Sequence, residues 1–287
     1  MNITEKIKNN NIVFIKCKDY TVSNEEFQIN KSNEYDLLYT ENLPDDLGKY
    51  YESEAYISHT DSNKTLIDKV YKLVRNFTLN SKVRLITKHN TGSKNLLDIG
   101  SGTGDFLIKA KSKGWTVDGV EPNEKARVIS STKNLVINKS IDNIENKRYS
   151  TITMWHVLEH VVTIDEYIEK IDKLLDDNGT LIVAVPNYKS YDAKYYKKYW
   201  AAYDVPRHVW HFSKTSIEKI FNEFNFELVK TKPMLFDSFY VSMLSEKYKT
   251  GKNNYIKAFV IGLLSNCKAY FSKEYSSHIY VLKKKNN

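Results

Sequence analysis

Residues 95–106 read NLLDIGSGTGDF. A short apolar run ends in an acid and three alternating glycines, Gly100, Gly102 and Gly104, and a helical pattern follows at once. A run of that length bounded by glycine predicts a strand buried on both faces, the kind found in parallel sheets. Parallel neighbours need a crossover between them, so this stretch commits the chain to alternating strands and helices. The glycines predict a tight turn at the carboxyl end of the strand, where such sheets bind ligands.

The chain downstream keeps that alternation. WTVDGVE, NLVI, STITMW, TLIVAVPN, FELVK and HIYVL read as six further strands. Between them, TIDEYIEKIDKLLDDNG is the clearest helix, with Thr163 and Glu166 as a capping box and Ile164, Ile168 and Ile171 on one stripe. Thr215 and Glu218 predict the cap of another. Residues 65–287 therefore read as an α/β, doubly wound, seven-stranded domain. It carries a lid insertion at 187–213 and a helical insertion at 233–273. Residues 1–64 read as an N-terminal extension, irregular and polar, with β-like pieces such as NIVFIKC.

Composition narrows the partners. The net charge of +8 raises nucleic acid, but only five of the 43 basic residues are arginine, the side chain suited to bidentate phosphate and base contacts. The lysines are scattered, which argues against a nucleic-acid substrate. No run approaches a transmembrane length, and MNITEKIKNNN at the start has no signal-peptide core. Cys17 and Cys267 are too few for a disulfide scaffold or a Cys-rich metal site. These features predict a cytoplasmic protein without a transmembrane segment.

The glycine loop differs from the dinucleotide pattern G-x-G-x-x-G, because Asp105 stands where the third glycine belongs. A carboxylate there and another at Asp98 disfavour a pyrophosphate and suit a ligand with a cationic group. From about Lys94 to Lys230 the chain resembles class I S-adenosylmethionine-dependent methyltransferases, on the string Asp98–Gly104 and on WHVLEH after strand four. The resemblance implies a Rossmann-like fold and S-adenosyl-L-methionine as cofactor. It places Asp98, Gly100, Ser101, Gly102 and Gly104 at the cofactor, and Glu121 on its ribose hydroxyls. Pro122 and Asn123 would flank the adenine, and Trp155 and His156 would line the cleft. The family's usual acid near the start of strand four is absent; Tyr149 and Ser150 stand there.

His156, Glu159 and His160 also match H-x-x-E-H, a zinc-peptidase spacing. The resemblance puts them across a strand-to-helix turn, where the helical geometry is lost, and the sequence shows no third ligand, so no metal is expected. For the acceptor, Tyr195, Tyr196, Tyr199, Trp200 and Tyr203 are candidate pocket walls or, alternatively, packed core. PRHVWHF gathers Arg207, His208 and His211. His208 is the candidate general base and Arg207 the candidate anchor for an acceptor carboxylate or phosphate; both could instead pin the lid. Tyr51, Tyr56 and His59 are candidates for closing the cleft. In residues 252–272, Ile256, Phe259, Val260, Leu263, Leu264, Cys267 and Phe271 share a helical face. That face is expected to pack on its own domain, the other reading being an interfacial membrane helix. The resulting expectation is a methyltransferase acting on a small-molecule, glycan or lipid-precursor acceptor, with O-methylation foremost and similarity to the ubiquinone-biosynthesis branch. The alternatives are an RNA or protein methyltransferase, or a cofactor-binding protein without turnover.

Overall fold

The computed structural model describes residues 2–9, 11–51, 66–145 and 147–285. The candidate residues Tyr56 and His59 lie outside them. In order the elements begin with α1 (Ile3–Lys8), β1 (Asn11–Lys18), β2 (Glu26–Ser32), β3 (Leu37–Thr40) and α2 (Leu66–His89). Then come β4 (Asn95–Ile99), α3 (Asp105–Lys111), β5 (Thr116–Val120), α4 (Glu124–Ser131), β6 (Ile137–Asn138) and β7 (Tyr149–Trp155). Next are α5 (Ile164–Leu174), β8 (Leu175–Pro186), α6 (Tyr191–Tyr196), β9 (Trp210–His211) and α7 (Lys214–Glu223). The chain closes with β10 (Phe226–Pro233), α8 (Asp237–Thr250), α9 (Tyr255–Ser272) and β11 (Ser277–Lys284).

All seven expected strands form one mixed sheet, in the order β10-β11-β8-β7-β4-β5-β6. The chain leaves β4 outward through β5 and β6, then returns to β7 on the other side of β4. That reversal is the switch point of a doubly wound sheet. β4 pairs in parallel with both neighbours, and its register sets Asp98 between Thr153 and Gly119. Gly119 has no room for a side chain: a Cβ there would lie 2.6 Å from Ile137 Cδ1 and 2.8 Å from Leu107 Cδ1.

The chain divides into two compact units. One comprises Glu54–Trp155, Ile168–Val183 and Val281–Asn287. Its core is the apolar interior of the strands, including Leu96, Leu97, Ile152 and Met154, all fully buried. The other comprises Met1–Ser53, His156–Tyr167 and Ala184–Tyr280. It holds a second, antiparallel sheet of order β1-β2-β3-β9. The N-terminal residues are thus regular where an irregular extension was expected. β1 is exposed along most of its length, so it lacks the alternation that marks a half-buried strand.

Within this second unit, the aromatic segment after β8 is core. Tyr196, Trp200 and Tyr203 are buried against Cys17, Phe27, Ile29 and Leu38. Tyr195 and Tyr199 pack at its margin. The packed-core alternative therefore describes most of these rings. α7 starts two residues earlier than expected: Ser213 caps it reciprocally with Ser216, in place of Thr215 with Glu218. α9 departs further. It buries Ala258, Ile261, Gly262, Ser265 and Ala269 and leaves its large apolar residues outward, with Ile256 81% and Phe271 83% exposed. The expectation that this apolar face packs on its own domain is overturned. No helix among the described residues is long and apolar enough to cross a membrane.

Candidate active site

The first unit carries the glycine loop. Gly100, Gly102 and Gly104 all have positive φ, at 72°, 54° and 80°. At Gly102 a side chain would have space, so the requirement is conformational. At Gly104 both constraints act, since a Cβ would lie 2.4 Å from Leu135 Cδ1. Gly100 and Ser101 donate their N–H groups to the carbonyl of Val120, at 2.7 and 2.9 Å. Glu121, nearly buried at the end of β5, ties the two loops together. Its Oε2 accepts from Gly102 N–H and its Oε1 from Asn123 N–H, both at 2.9 Å. Asn123 caps α4 through Ala126 N–H at 3.0 Å, and the Pro122 carbonyl accepts from Arg127 at 2.6 Å.

These residues fit a cationic nucleoside ligand. Asp98 is buried and accepts one hydrogen bond, from Thr153 Oγ1 at 2.6 Å. Burial pushes its carboxyl up to about 7 against that bond and the nearby Lys82. Lys82 Nζ itself stands 4.2 Å over the Trp155 ring. Ser101 Oγ and Trp155 Nε1 are buried polar atoms with no partner among the described residues, so both are left to meet a ligand. Asp105 plays another part than the ligand-facing one its position suggested. Arg75, Lys133 (2.8 Å) and the Thr103 hydroxyl (2.9 Å) surround its carboxylate.

The chain enters the second unit at His156, which has a positive φ of 58°. Its Nδ1 lies 3.2 Å from Glu159 Oε1 and its Nε2 3.0 Å from Asp237 Oδ2. Burial works against a charged ring, but hydrogen bonds to Asp237 and Glu159 raise its pKa to about 10, so the ring is an imidazolium. Leu158–His160 form one 3-10 turn, so the i, i+4 geometry of a zinc helix is absent.

Two other histidines each direct Nδ1 at a backbone carbonyl. His160 Nδ1 is 3.0 Å from the Arg207 carbonyl and 3.0 Å from Tyr51 Oη. A carbonyl only accepts, so Nδ1 carries the proton and Nε2 the lone pair. His208 Nδ1 lies 2.9 Å from the Ala202 carbonyl and so carries a proton, while its Nε2 lies 3.8 Å from Asp204 Oδ2. The rings are 4.6 Å apart, edge to face. Burial, with His208 adding to it, pushes His160 down to about 4. Between them Glu159 is fully buried; its Oε1 meets His156 and its Oε2 has no hydrogen-bond partner. One ligand atom from each of Glu159, His160 and His208 lies within 4.8 Å of the others. His208 thus supplies the third group that the sequence did not show, while His156 stands apart.

Arg207 is committed elsewhere. Its guanidinium is buried, pairs with Asp204 through two nitrogens and donates to the Tyr50 carbonyl at 3.2 Å. It pins the segment, in line with the alternative reading of this residue. His211 is buried against Thr40 Oγ1 at 3.2 Å and is held well below the usual range by burial. Sequence reasoning missed Asp237 and Asp204, whose partners become apparent only in the fold. It did single out His160 and Tyr51, in other roles.

The model of a methyltransferase domain matches residues 72–231, more than half of the chain. A ubiquinone biosynthesis O-methyltransferase of Rickettsia typhi is 27% identical over 157 residues, 50% of this chain and 63% of that protein. The chain therefore spans less than two thirds of this relative's length. Among solved structures, magnesium protoporphyrin IX methyltransferase of Synechocystis, with bound S-adenosylhomocysteine, superposes with a TM-score of 0.51 at 16% identity. That match covers 79% of this chain and 90% of the other. A SAM-dependent methyltransferase of Thermotoga maritima gives 0.51 at 19% identity, over 76% and 94%. Such identities show a shared fold. By sequence and by fold, the chain belongs to the methyltransferase-domain family, whose class I members take their methyl group from S-adenosylmethionine.

Proposed function

We propose that this methyltransferase acts on a hydroxyl oxygen of a small-molecule, glycan or lipid-precursor acceptor. The carrying observation is the pair of imidazoles, His160 and His208, each with Nδ1 on a backbone carbonyl, beside a buried carboxylate in the second unit. An acceptor hydroxyl must lose its proton as its oxygen attacks, so it needs a base. S-adenosylmethionine, when bound, supplies a methyl group on a sulfonium that leaves without help from an acid. His208 takes the acceptor's proton at Nε2, while its Nδ1–H stays on Ala202. His160, held near 4, is too weak a base for that task at neutral pH and orients the pair. Glu159 stabilises the imidazolium that forms on His208. Asp98, Gly100, Ser101, Gly102, Gly104, Glu121, Pro122, Trp155 and His156 are the proposed cofactor-side residues. The O-methyltransferase activity named for the Rickettsia relative supports oxygen as the acceptor atom. Formation of S-adenosylhomocysteine with nuclease-treated, protein-free extract fractions tests the reading. Turnover that needs RNA or protein in the fraction would replace it.

The triad Glu159, His160 and His208 favours a second reading, a divalent cation that polarises the acceptor hydroxyl. Metal analysis separates the two. With His208 as base, purified protein holds no stoichiometric metal and chelator leaves turnover unchanged. One equivalent of metal per chain, with turnover lost on chelation, would move the role from the base to the ion.

The cofactor assignment carries a pH signature. Free Asp98 is held near 7, and a cationic ligand stabilises its charged form. Binding therefore releases a proton, and affinity rises as the pH is raised through about 7 and then levels off. Calorimetry at pH near 7 in two buffers of different ionisation heat should give different apparent enthalpies, and Asp98→Asn should remove the difference. Equal enthalpies for the unmodified protein would take Asp98 out of the ligand's reach.

A further inference from the structure

α9 faces the wrong way for a helix in water. Its inward side is made of small residues, and Gly262 is so close to α8 that a Cβ would lie 2.8 Å from Phe239 Cδ1. Its one buried polar side chain fixes the rotation. Ser265 Oγ donates to Asp192 at 2.6 Å, and Asp192 also accepts from Trp200 Nε1 and Ser276 Oγ, both at 2.7 Å. The large residues therefore cannot turn inward without breaking a buried network. They stay exposed: Ile256 at 81%, Phe259 at 57%, Leu263 at 46% and Phe271 at 83%. Asn266 holds the Leu235 carbonyl at 2.8 Å, and exposed Leu235 and Phe236 extend the patch beyond the helix. A continuous apolar face of this kind marks an interaction surface.

Charge selects the partner. From Lys247 to Lys273 there is no acidic residue and there are six lysines. Lys257 answers the buried Glu246, at 3.1 Å. Lys268 lies on the border between the exposed and buried faces, over the Tyr191 ring, and Lys252 and Lys273 flank the two ends. Lysines at the border of an apolar helical face keep their stems on the apolar side and their charge at the rim. We propose that α9 lies flat on an anionic lipid bilayer, its apolar face in the acyl boundary and its lysines among the headgroups. The helix has 18 residues and is not long and apolar enough to cross a membrane, which suits a position in the plane of the interface. A second copy is the poorer occupant, because two such faces would bring lysines together with no acid to meet them.

Co-sedimentation of the full chain with vesicles tests this. Vesicles of phosphatidylcholine with phosphatidylglycerol should carry the protein down, and phosphatidylcholine alone should carry much less. Ile256→Glu, Leu263→Glu and Phe271→Glu together should weaken binding at least about tenfold, with an unchanged thermal midpoint because these side chains face outward. Lys252→Gln, Lys268→Gln and Lys273→Gln together should also weaken it at least about tenfold, with the apolar face intact. The proposal is overturned if the unmodified chain ignores both kinds of vesicle, or if both variants bind as it does. Gel filtration showing a dimer that the glutamate variant dissociates, without vesicle binding, would overturn it in favour of a second copy. None of these readouts depends on the cofactor or the acceptor.

Discussion

His208→Ala slows methyl transfer by ~10²–10⁴-fold, the range for loss of a general base, and leaves S-adenosylmethionine affinity close to that of the unmodified protein. The size follows from the local chemistry. The Ala202 carbonyl holds the Nδ1 proton, so Nε2 is the ring atom left to exchange a proton with the acceptor, and Asp204 Oδ2, 3.8 Å from it, is beyond hydrogen-bond reach. His160 cannot substitute, because burial keeps its pKa near 4. An acceptor whose hydroxyl is already acidic needs less help, so the loss shrinks along a series of more acidic acceptors. A pinning role gives another pattern. His208 is buried against His160, so a merely structural ring would cost stability and acceptor affinity together, whatever the acidity of the acceptor. Steady-state rates on two acceptors, with a melting curve for each protein, distinguish the two. Unchanged turnover on the preferred acceptor would leave His208 in neither role.

Glu121→Ala weakens cofactor binding by ~1.5–3 kcal/mol, the scale of charge-assisted hydrogen bonds. The carboxylate acts in two ways. In the proposed cofactor site it offers lone pairs to the ribose hydroxyls, as carboxylates at this place in nucleoside folds do. It also holds the N–H groups of Gly102 and Asn123, so its loss frees both loops before any ligand arrives. Glu121→Gln keeps one acceptor oxygen and should lie between the two. Calorimetry reads the affinities. Full affinity in the alanine variant would remove Glu121 from the ribose and show that the loops hold without it.

The parts of the candidate site that come from neighbouring elements were legible in the chain. Asp98, the glycines and Glu121 sit at spacings that follow from one strand, one turn, one helix and the next strand. The parts made by distant pairing were not. His208 joins Glu159 and His160 only after the chain has made α5, β8 and α6, and Asp237 opens α8 with nothing in FDSF to mark it as the partner of His156. Arg207 looked available because its acid, Asp204, lies three residues away in a turn whose shape no periodicity reports. α9 shows the limit of pattern reading from the other side. The apolar stripe was correctly located, but its direction is set by Asp192, a buried acid far up the chain.

The antiparallel sheet of the second unit has a bearing on how the chain is made. β1, β2 and β3 can pair as soon as they emerge from the ribosome, but Leu38 and Tyr39 find their partners only when His211 and Trp210 arrive. Until then one edge of β3 offers unpaired amide and carbonyl groups, and contacts so distant in sequence form slowly. Any fragment that stops short of Trp210 keeps that edge open to other strands. The hazard in producing this protein therefore lies in its first forty residues, although the residues that remove it are about 170 positions on.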